Sequence, residues 1–80
     1  MARRSSGLDE IDIAILRALK EIGRPASCKE IGEHAGIDAR RVAAKMRKLK
    51  RLGLVESPEK ARYVITEQGL KVLEEHSQEA

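Results

Sequence analysis

Apolar residues recur every three or four positions in the first part of the chain, which is the pattern of an amphipathic helix. The stripe consists of Leu8, Ile11, Ile15, Leu19 and Ile22. Asp9, Glu10 and Asp12 would occupy the first turn, where carboxylates interact favourably with the helix dipole. Gly23 is predicted to end this helix. Pro25 favours extended backbone at the residue before it, so a short extended link should follow.

A second, shorter helix is predicted directly after that link. Ser27 and Glu30 have the spacing of a capping box, in which each side chain bonds to the backbone amide of the other. Gly36 suits the left-handed conformation that closes a helix. In the following turn, the apolar side chain of Ile37 is expected to pack inward. Asp38 is expected to be the N-cap of a third helix.

The third helix is predicted over residues 39–52, with Gly53 after its end. Its buried stripe is marked by Val42, Met46 and Leu49. At 100° per residue, the opposite side and one shoulder are almost wholly cationic. The opposite side holds Arg40, Ala44, Arg47 and Arg51, and the shoulder holds Arg41, Lys45 and Lys48.

Two short β-prone runs at residues 54–56 and 62–65 predict a hairpin. The segment between them, residues 57–61, is expected to be its turn, with Pro58 at the second turn position. Thr66 can cap a last helix, whose apolar side includes Leu70 and Leu73. The predicted fold is mainly α with a small β-hairpin, in the order helix, helix, helix, hairpin, helix.

The chain has 80 residues, which is enough for one domain with a thin core. Residues 8–76 are assigned to that domain. Residues 1–7, with Arg3 and Arg4, are expected to form a disordered basic arm, and residues 77–80 a disordered tail. A single Cys28 excludes an internal disulfide, so self-association into a homodimer is the predicted source of extra stability.

The net charge is only +3, but the charge is segregated along the chain. Seven cations lie between residues 40 and 55 with no acidic residue among them: Arg40, Arg41, Lys45, Arg47, Lys48, Lys50 and Arg51. A basic block of this kind indicates a polyanionic partner. No apolar run is long enough to cross a bilayer and no signal peptide is evident, so a cytoplasmic protein is predicted.

From Ser27 to Gly69 the chain resembles winged helix-turn-helix transcription regulators of the MarR-like and ArsR-like kind. Three segments carry the resemblance: residues 29–37, the run MRKLKRLGLV at residues 46–55, and YVITEQG at residues 63–69. The resemblance implies that the helix over residues 39–52 enters the major groove of double-stranded DNA. It also implies that a wing at residues 57–61 reaches the flanking backbone or minor groove.

The chain departs from these relatives in two respects. Arg40 and Arg41 stand where the family often has Ser or Thr at the start of the recognition helix, so the target sequence cannot be carried over. The Cys-rich metal-sensing segment of many ArsR-like proteins and the long dimerising helices of MarR-like proteins are both missing from the sequence.

Individual contacts can be assigned from chemistry. Arginine forms a bidentate pair with guanine O6 and N7, so Arg40 or Arg41 in the first turn is predicted to read bases. Ala44 is small enough to let the helix lie deep in the groove. The remaining predicted site residues are expected to bind DNA phosphates. They are Lys45, Arg47, Lys48 and Arg51 on the helix, and Lys60 and Arg62 on the wing.

Other reactive side chains are predicted to be structural. Cys28 is expected to be a packed thiol, His34 and His76 surface residues without metal spacing, and Tyr63 part of the core. No glycine-rich phosphate loop or carboxylate pair argues for an enzyme, and no cofactor or small-molecule ligand is predicted. Two alternatives remain open: a winged helix that binds protein within a larger assembly, and a sequence-independent, chromatin-like nucleic-acid binder.

Overall fold

A computed structural model describes residues 8–78 of the chain. Its elements, in order, are α1 (Glu10–Ile22), α2 (Cys28–Ala35), α3 (Ala39–Arg51), β1 (Val55–Glu59), β2 (Arg62–Ile65) and α4 (Glu67–Gln78). The predicted order of three helices, a hairpin and a helix is confirmed. Helix α4 includes residues 77 and 78, which the sequence analysis assigned to the tail. The predicted arm at residues 1–7 lies outside the described residues, as do residues 79–80.

Short-range chemistry sets the ends of the first two helices, as predicted for Gly23, Ser27 and Gly36. The prediction that Asp9 lies within the first turn of α1 was wrong, since it is the N-cap residue. Asp9 caps α1 and Ser27 caps α2, each in a reciprocal capping box with the residue three positions later. Gly23 and Gly36 follow the two helices in the left-handed conformation, at φ of 73° and 74°. Reciprocal hydrogen bonds therefore fix where each helix begins, and a glycine in the left-handed conformation fixes where each helix ends.

The cap of α3 agrees with the prediction in position. Asp38 is the N-cap residue, as predicted, but its side chain makes no capping hydrogen bond. The residue is exposed, so water can solvate the carboxylate in place of the helix amides.

The turn between α2 and α3 depends on close contact between backbones. The amide of Ile37 donates to the carbonyl oxygen of Gly32 at 2.8 Å. A Cβ atom on Gly32 would collide with the carbonyl oxygen of Ile37, and Gly32 itself is buried. Glycine at this position lets α2 approach the turn and so fixes where α3 begins.

The hairpin is longer and its tip tighter than predicted. Strand β1 continues to Glu59, which pairs with Arg62, so Lys60 and Ala61 alone form the tip. Ala61 has a φ of 64°, in the left-handed region that the third residue of a type II turn occupies. The prediction that Pro58 lies at the second turn position was wrong. Pro58 lies within β1, where the register shifts between Glu56 and Glu59 and a residue without an amide proton is tolerated.

The link between α1 and α2 pairs with β2 through an isolated β-bridge. The amides of Ala26 and Tyr63 each donate to the carbonyl of the other, at 3.0 and 2.9 Å. The sequence predicts an extended link here, but not its pairing with β2. This bridge attaches the hairpin to the body of the domain.

One apolar core joins all four helices to the base of the hairpin. Its buried members are Ile15, Leu16, Ala18, Leu19, Ala26, Ile31, Val42, Met46, Leu49, Leu54, Val55 and Leu73. The predicted stripes of the first and third helices are confirmed at Ile15, Leu19, Val42, Met46 and Leu49. No helix among residues 8–78 is long and apolar enough to cross a membrane.

Candidate nucleic-acid interface

Helix α3 presents an exposed face that is rich in cations and contains no acidic side chain. The exposed positions of the helix are Arg40, Arg41, Ala43, Ala44, Arg47, Lys50 and Arg51. The buried stripe of the same helix holds this face outward, because Val42, Met46 and Leu49 are 2% exposed or less. A convex cationic helix of this kind can lie along a polyanion without desolvating an acidic group.

A groove of about 590 Å³ separates α3 from the hairpin. Its lining residues are Ala43, Ala44, Met46, Arg47, Lys50 and Tyr63. Small alanine side chains thus form part of its wall, and two cations stand beside them. Such a groove can admit a phosphate backbone or a base edge beside the helix.

Four of these lining residues were not among the predicted site residues, and one of them, Met46, was predicted instead to belong to the buried stripe of the helix. Ala43 and Lys50 lie on the same side of α3 as Arg47, four and three positions from it, and the helical period alone could have identified them. Tyr63 is half-buried and borders both the core and the groove. The prediction that Tyr63 belongs to the core is confirmed, while its position in the groove was missed.

The hairpin places two predicted wing residues near its exposed tip. Lys60 forms part of the tip and is exposed. Arg62 lies opposite Glu59, with a distance of 3.8 Å between its Nε and a carboxylate oxygen. The Ser57 hydroxyl lies 2.8 Å from the carbonyl oxygen of Glu59 and 2.9 Å from that of Arg62, so it can donate to either and brace the tip.

Two lysines on the shoulder of α3 are paired with carboxylates at the start of α1. The Nζ atom of Lys45 lies 2.8 Å from Oδ2 of Asp9, and that of Lys48 lies 2.7 Å from Oδ2 of Asp12. The partners are 36 residues apart in sequence. The basic block therefore has counter-charges that inspection of the block alone does not reveal.

The two carboxylates differ sharply in burial. The Asp9 side chain is 54% exposed, whereas that of Asp12 is fully buried. Oδ2 of Asp12 also accepts from the Asp9 amide at 2.9 Å, while Oδ1 has no hydrogen-bond partner among the described residues. Lys48 is thus the cation in direct contact with the buried Asp12 carboxylate, whose charge also acts on the Lys45 amine, whereas Asp9 can exchange its partner for water.

The Asp9–Lys45 pair shifts the pKa of both groups in the direction that favours charge. The hydrogen bond from Lys45, followed by that from the Asp12 amide, lowers the pKa of Asp9 from 3.8 to about 2. The same hydrogen bond to Asp9 raises the pKa of Lys45. Both groups are consequently ionised at neutral pH.

The other reactive side chains lie away from α3. Cys28 is half-buried, and burial raises the pKa of its thiol, as expected of a packed residue. Nε2 of His34 lies 2.8 Å from a carboxylate oxygen of Glu21 on α1. Among residues 8–78, no group of His, Cys, Asp and Glu side chains is arranged to hold a metal ion.

A helix-turn-helix followed by a hairpin, with a cationic second helix, defines the winged helix class of DNA-binding domain. The sequence pattern of the winged helix-turn-helix DNA-binding family matches residues 8–56, more than half of the chain. The chain belongs to this family. The fold class, the family resemblance and the DNA-binding character predicted from the sequence are confirmed.

Two solved structures are similar in fold. One is a protein from Pseudomonas aeruginosa PA01 proposed to be a transcriptional regulator, with a TM-score of 0.76 and 20% identity, over 89% of this chain and 53% of that one. The other is wild-type ZitR from Lactococcus lactis, with a TM-score of 0.66 and 18% identity, over 98% of this chain and 56% of that one. The chain thus spans about half the length of each. A comparison with curated proteins gave no match.

Proposed function

We propose that the protein is a transcriptional regulator that binds double-stranded DNA by placing α3 in the major groove and the hairpin on the flanking backbone. The observation that carries the proposal is the exposed face of α3, which holds five cations and two alanines and no acidic residue. A domain that used this face only to bind protein would have no physical need to exclude carboxylates from it. The solved protein from P. aeruginosa, proposed to be a regulator, supports the same role.

The proposed contacts fall into three groups. Arg40 and Arg41, in the first turn of α3, read base edges, and Ala44 allows the helix to approach closely. Cations further along the helix and on the wing hold phosphate: Arg47, Lys50, Arg51, Lys60 and Arg62. Lys45 and Lys48 contribute less, because each amine already lies within 2.8 Å of a carboxylate oxygen.

The proposal predicts that binding to duplex DNA weakens steeply with salt. Four or more phosphate contacts would give a slope of about −4 in a plot of log affinity against log salt concentration, since each contact releases condensed counterions. The measurement is fluorescence anisotropy on a random-sequence duplex and on a site selected from a random library, across a range of salt concentrations.

The same titration separates the proposal from its alternatives. A selected site bound at least 1,000-fold more tightly than random duplex, the lower end for specific regulators, supports a site-specific role. Equal affinity for both duplexes would instead identify a sequence-independent, chromatin-like binder. No duplex binding at low salt would contradict the proposal and favour a protein-binding module.

We also propose that the protein forms a homodimer through α1 and α4. A groove of about 510 Å³ lies between these helices, lined by Leu8, Asp9, Glu10, Ile13, Ala14, Arg17 and His76. Glu10 and Arg17 are symmetric about the midpoint between Ile13 and Ala14. An antiparallel pair of α1 helices would therefore place each glutamate opposite the partner's arginine across an apolar centre.

Substituting Ala14 with arginine is expected to shift the dimer to monomer. The larger charged side chain would occupy the centre of the proposed contact, while Ala14 is not part of the packed core. Sedimentation equilibrium at micromolar concentration measures the shift. Gln68→Arg adds the same charge to an exposed position of α4 outside the groove and should leave the dimer intact. A wild-type protein that is monomeric at these concentrations would refute the proposal.

A further inference from the structure

The Asp9–Lys45 pair lies on the surface that the proposed function assigns to DNA. Lys45 occupies the shoulder of α3 together with Arg41, whose positive charge acts on the Lys45 amine. The Lys45 side chain is 25% exposed and that of Asp9 is 54% exposed. The carboxylate that balances Lys45 is therefore accessible to water and to an incoming polyanion.

We propose that Asp9 is an internal competitor of DNA phosphate for Lys45, so that duplex binding must exchange a carboxylate for a phosphate at this amine. The inference rests on the proposed function, because it assumes that α3 faces DNA. An exposed ion pair has little net strength, so a phosphate can displace the carboxylate. Asp9 then lowers the affinity for DNA in two ways. It neutralises Lys45 before binding, and its carboxylate repels the DNA phosphates after the exchange.

The buried neighbour pair cannot exchange in the same way. Asp12 is fully buried and its Oδ1 has no partner among the described residues, so separating it from Lys48 would leave a buried charge without its directly paired cation. The shoulder of α3 thus carries two lysines of different behaviour. Lys48 stays with Asp12 and positions the helix, and Lys45 is available to DNA only when Asp9 releases it.

The test replaces the Asp9 carboxylate without removing the helix cap. Asp9 accepts a hydrogen bond from the Asp12 amide at 3.1 Å, and asparagine is an equally good N-cap residue. Asp9→Asn should therefore fold normally, which urea unfolding followed by circular dichroism will verify. Asp9→Ser, which also caps and carries no charge, provides a second variant with the same expected binding.

Asp9→Asn is expected to bind duplex DNA severalfold more tightly at low salt, with a salt slope about one unit steeper, because one more lysine becomes free to release counterions. Glu33→Gln is the matched control. It removes a carboxylate from an exposed position of α2, and Glu33 forms no ion pair with another residue in the range 8–78. This control should change affinity less and leave the slope unaltered.

The exchange itself is tested by adding Lys45→Met to both backgrounds. If Asp9 acts through Lys45, the gain from Asp9→Asn should disappear when Lys45 is absent. A gain that persists with Lys45→Met, or an Asp9→Asn variant that matches Glu33→Gln, would overturn the inference while leaving the proposed function in place. Absence of duplex binding by the wild-type protein would overturn the proposed function, and the inference with it.

Discussion

Replacing Lys48 with methionine is expected to destabilise the fold by about 3 kcal/mol, measured by urea unfolding followed by circular dichroism. Methionine keeps an unbranched apolar stem and removes the ammonium group. Asp12 would then be a fully buried carboxylate that has lost the cation paired directly with it, and its Oδ1 already has no partner among the described residues. The value lies at the lower end for a broken buried pair because the Lys48 side chain is 34% exposed.

Two further variants show whether the burial of Asp12 causes the loss. Lys45→Met removes the same group from the same face of α3, but leaves Asp9 exposed to water, so it should be far less destabilising. Asp12→Asn in the Lys48→Met background removes the buried carboxylate that lost its lysine, and should recover much of the stability. Equal losses for Lys48→Met and Lys45→Met would contradict this account. The predicted role of Lys48 as a phosphate contact would then regain support.

The end of α1 and both ends of α2 could be predicted from the sequence because their causes are local. Ser27 and Glu30 bond to each other's backbone across three residues, and Gly23 and Gly36 adopt a conformation that other residues avoid. The apolar stripe of α3 likewise follows from its own period. These features depend on neighbours within one or two turns, so a single sequence is enough to identify them.

The missed features depend on contacts between distant segments. The pairing of Lys45 and Lys48 with α1 brings together residues 36 positions apart, and nothing in the basic block indicates it. The position of Pro58 depends on a register shift within the hairpin, whereas turn propensity alone places it in the turn. The groove at Tyr63 requires the angle between α3 and the hairpin, which the Ala26–Tyr63 bridge helps to set.

The charge at the start of α3 is a further argument for a functional role. Arg40 and Arg41 lie in the first turn, where the helix dipole disfavours cations, and α3 has no acidic residue there. Both are exposed, and their substitution leaves the core untouched. Changing either to alanine should therefore preserve or slightly raise stability, so that any loss of DNA binding reports on contacts with DNA.

Arg40→Ala or Arg41→Ala is expected to cost about 1 to 3 kcal/mol of binding energy on the preferred site and much less on random duplex. A bidentate arginine contact matters only where the matching guanine is present, so the ratio of the two affinities should collapse. Fluorescence anisotropy on both duplexes measures that ratio.

Lys60→Ala at the hairpin tip is the comparison for the arginine variants. Lys60 is exposed and proposed to hold phosphate, so its loss should weaken binding to both duplexes equally and make the salt slope shallower by about one unit. The two kinds of variant should thus differ in which affinity changes, and not only in how much. If the arginine variants also lose affinity equally for both duplexes, with the same change in salt slope, then the first turn of α3 contacts only the DNA phosphate backbone. The protein would in that case bind DNA through charge and shape, without reading its sequence.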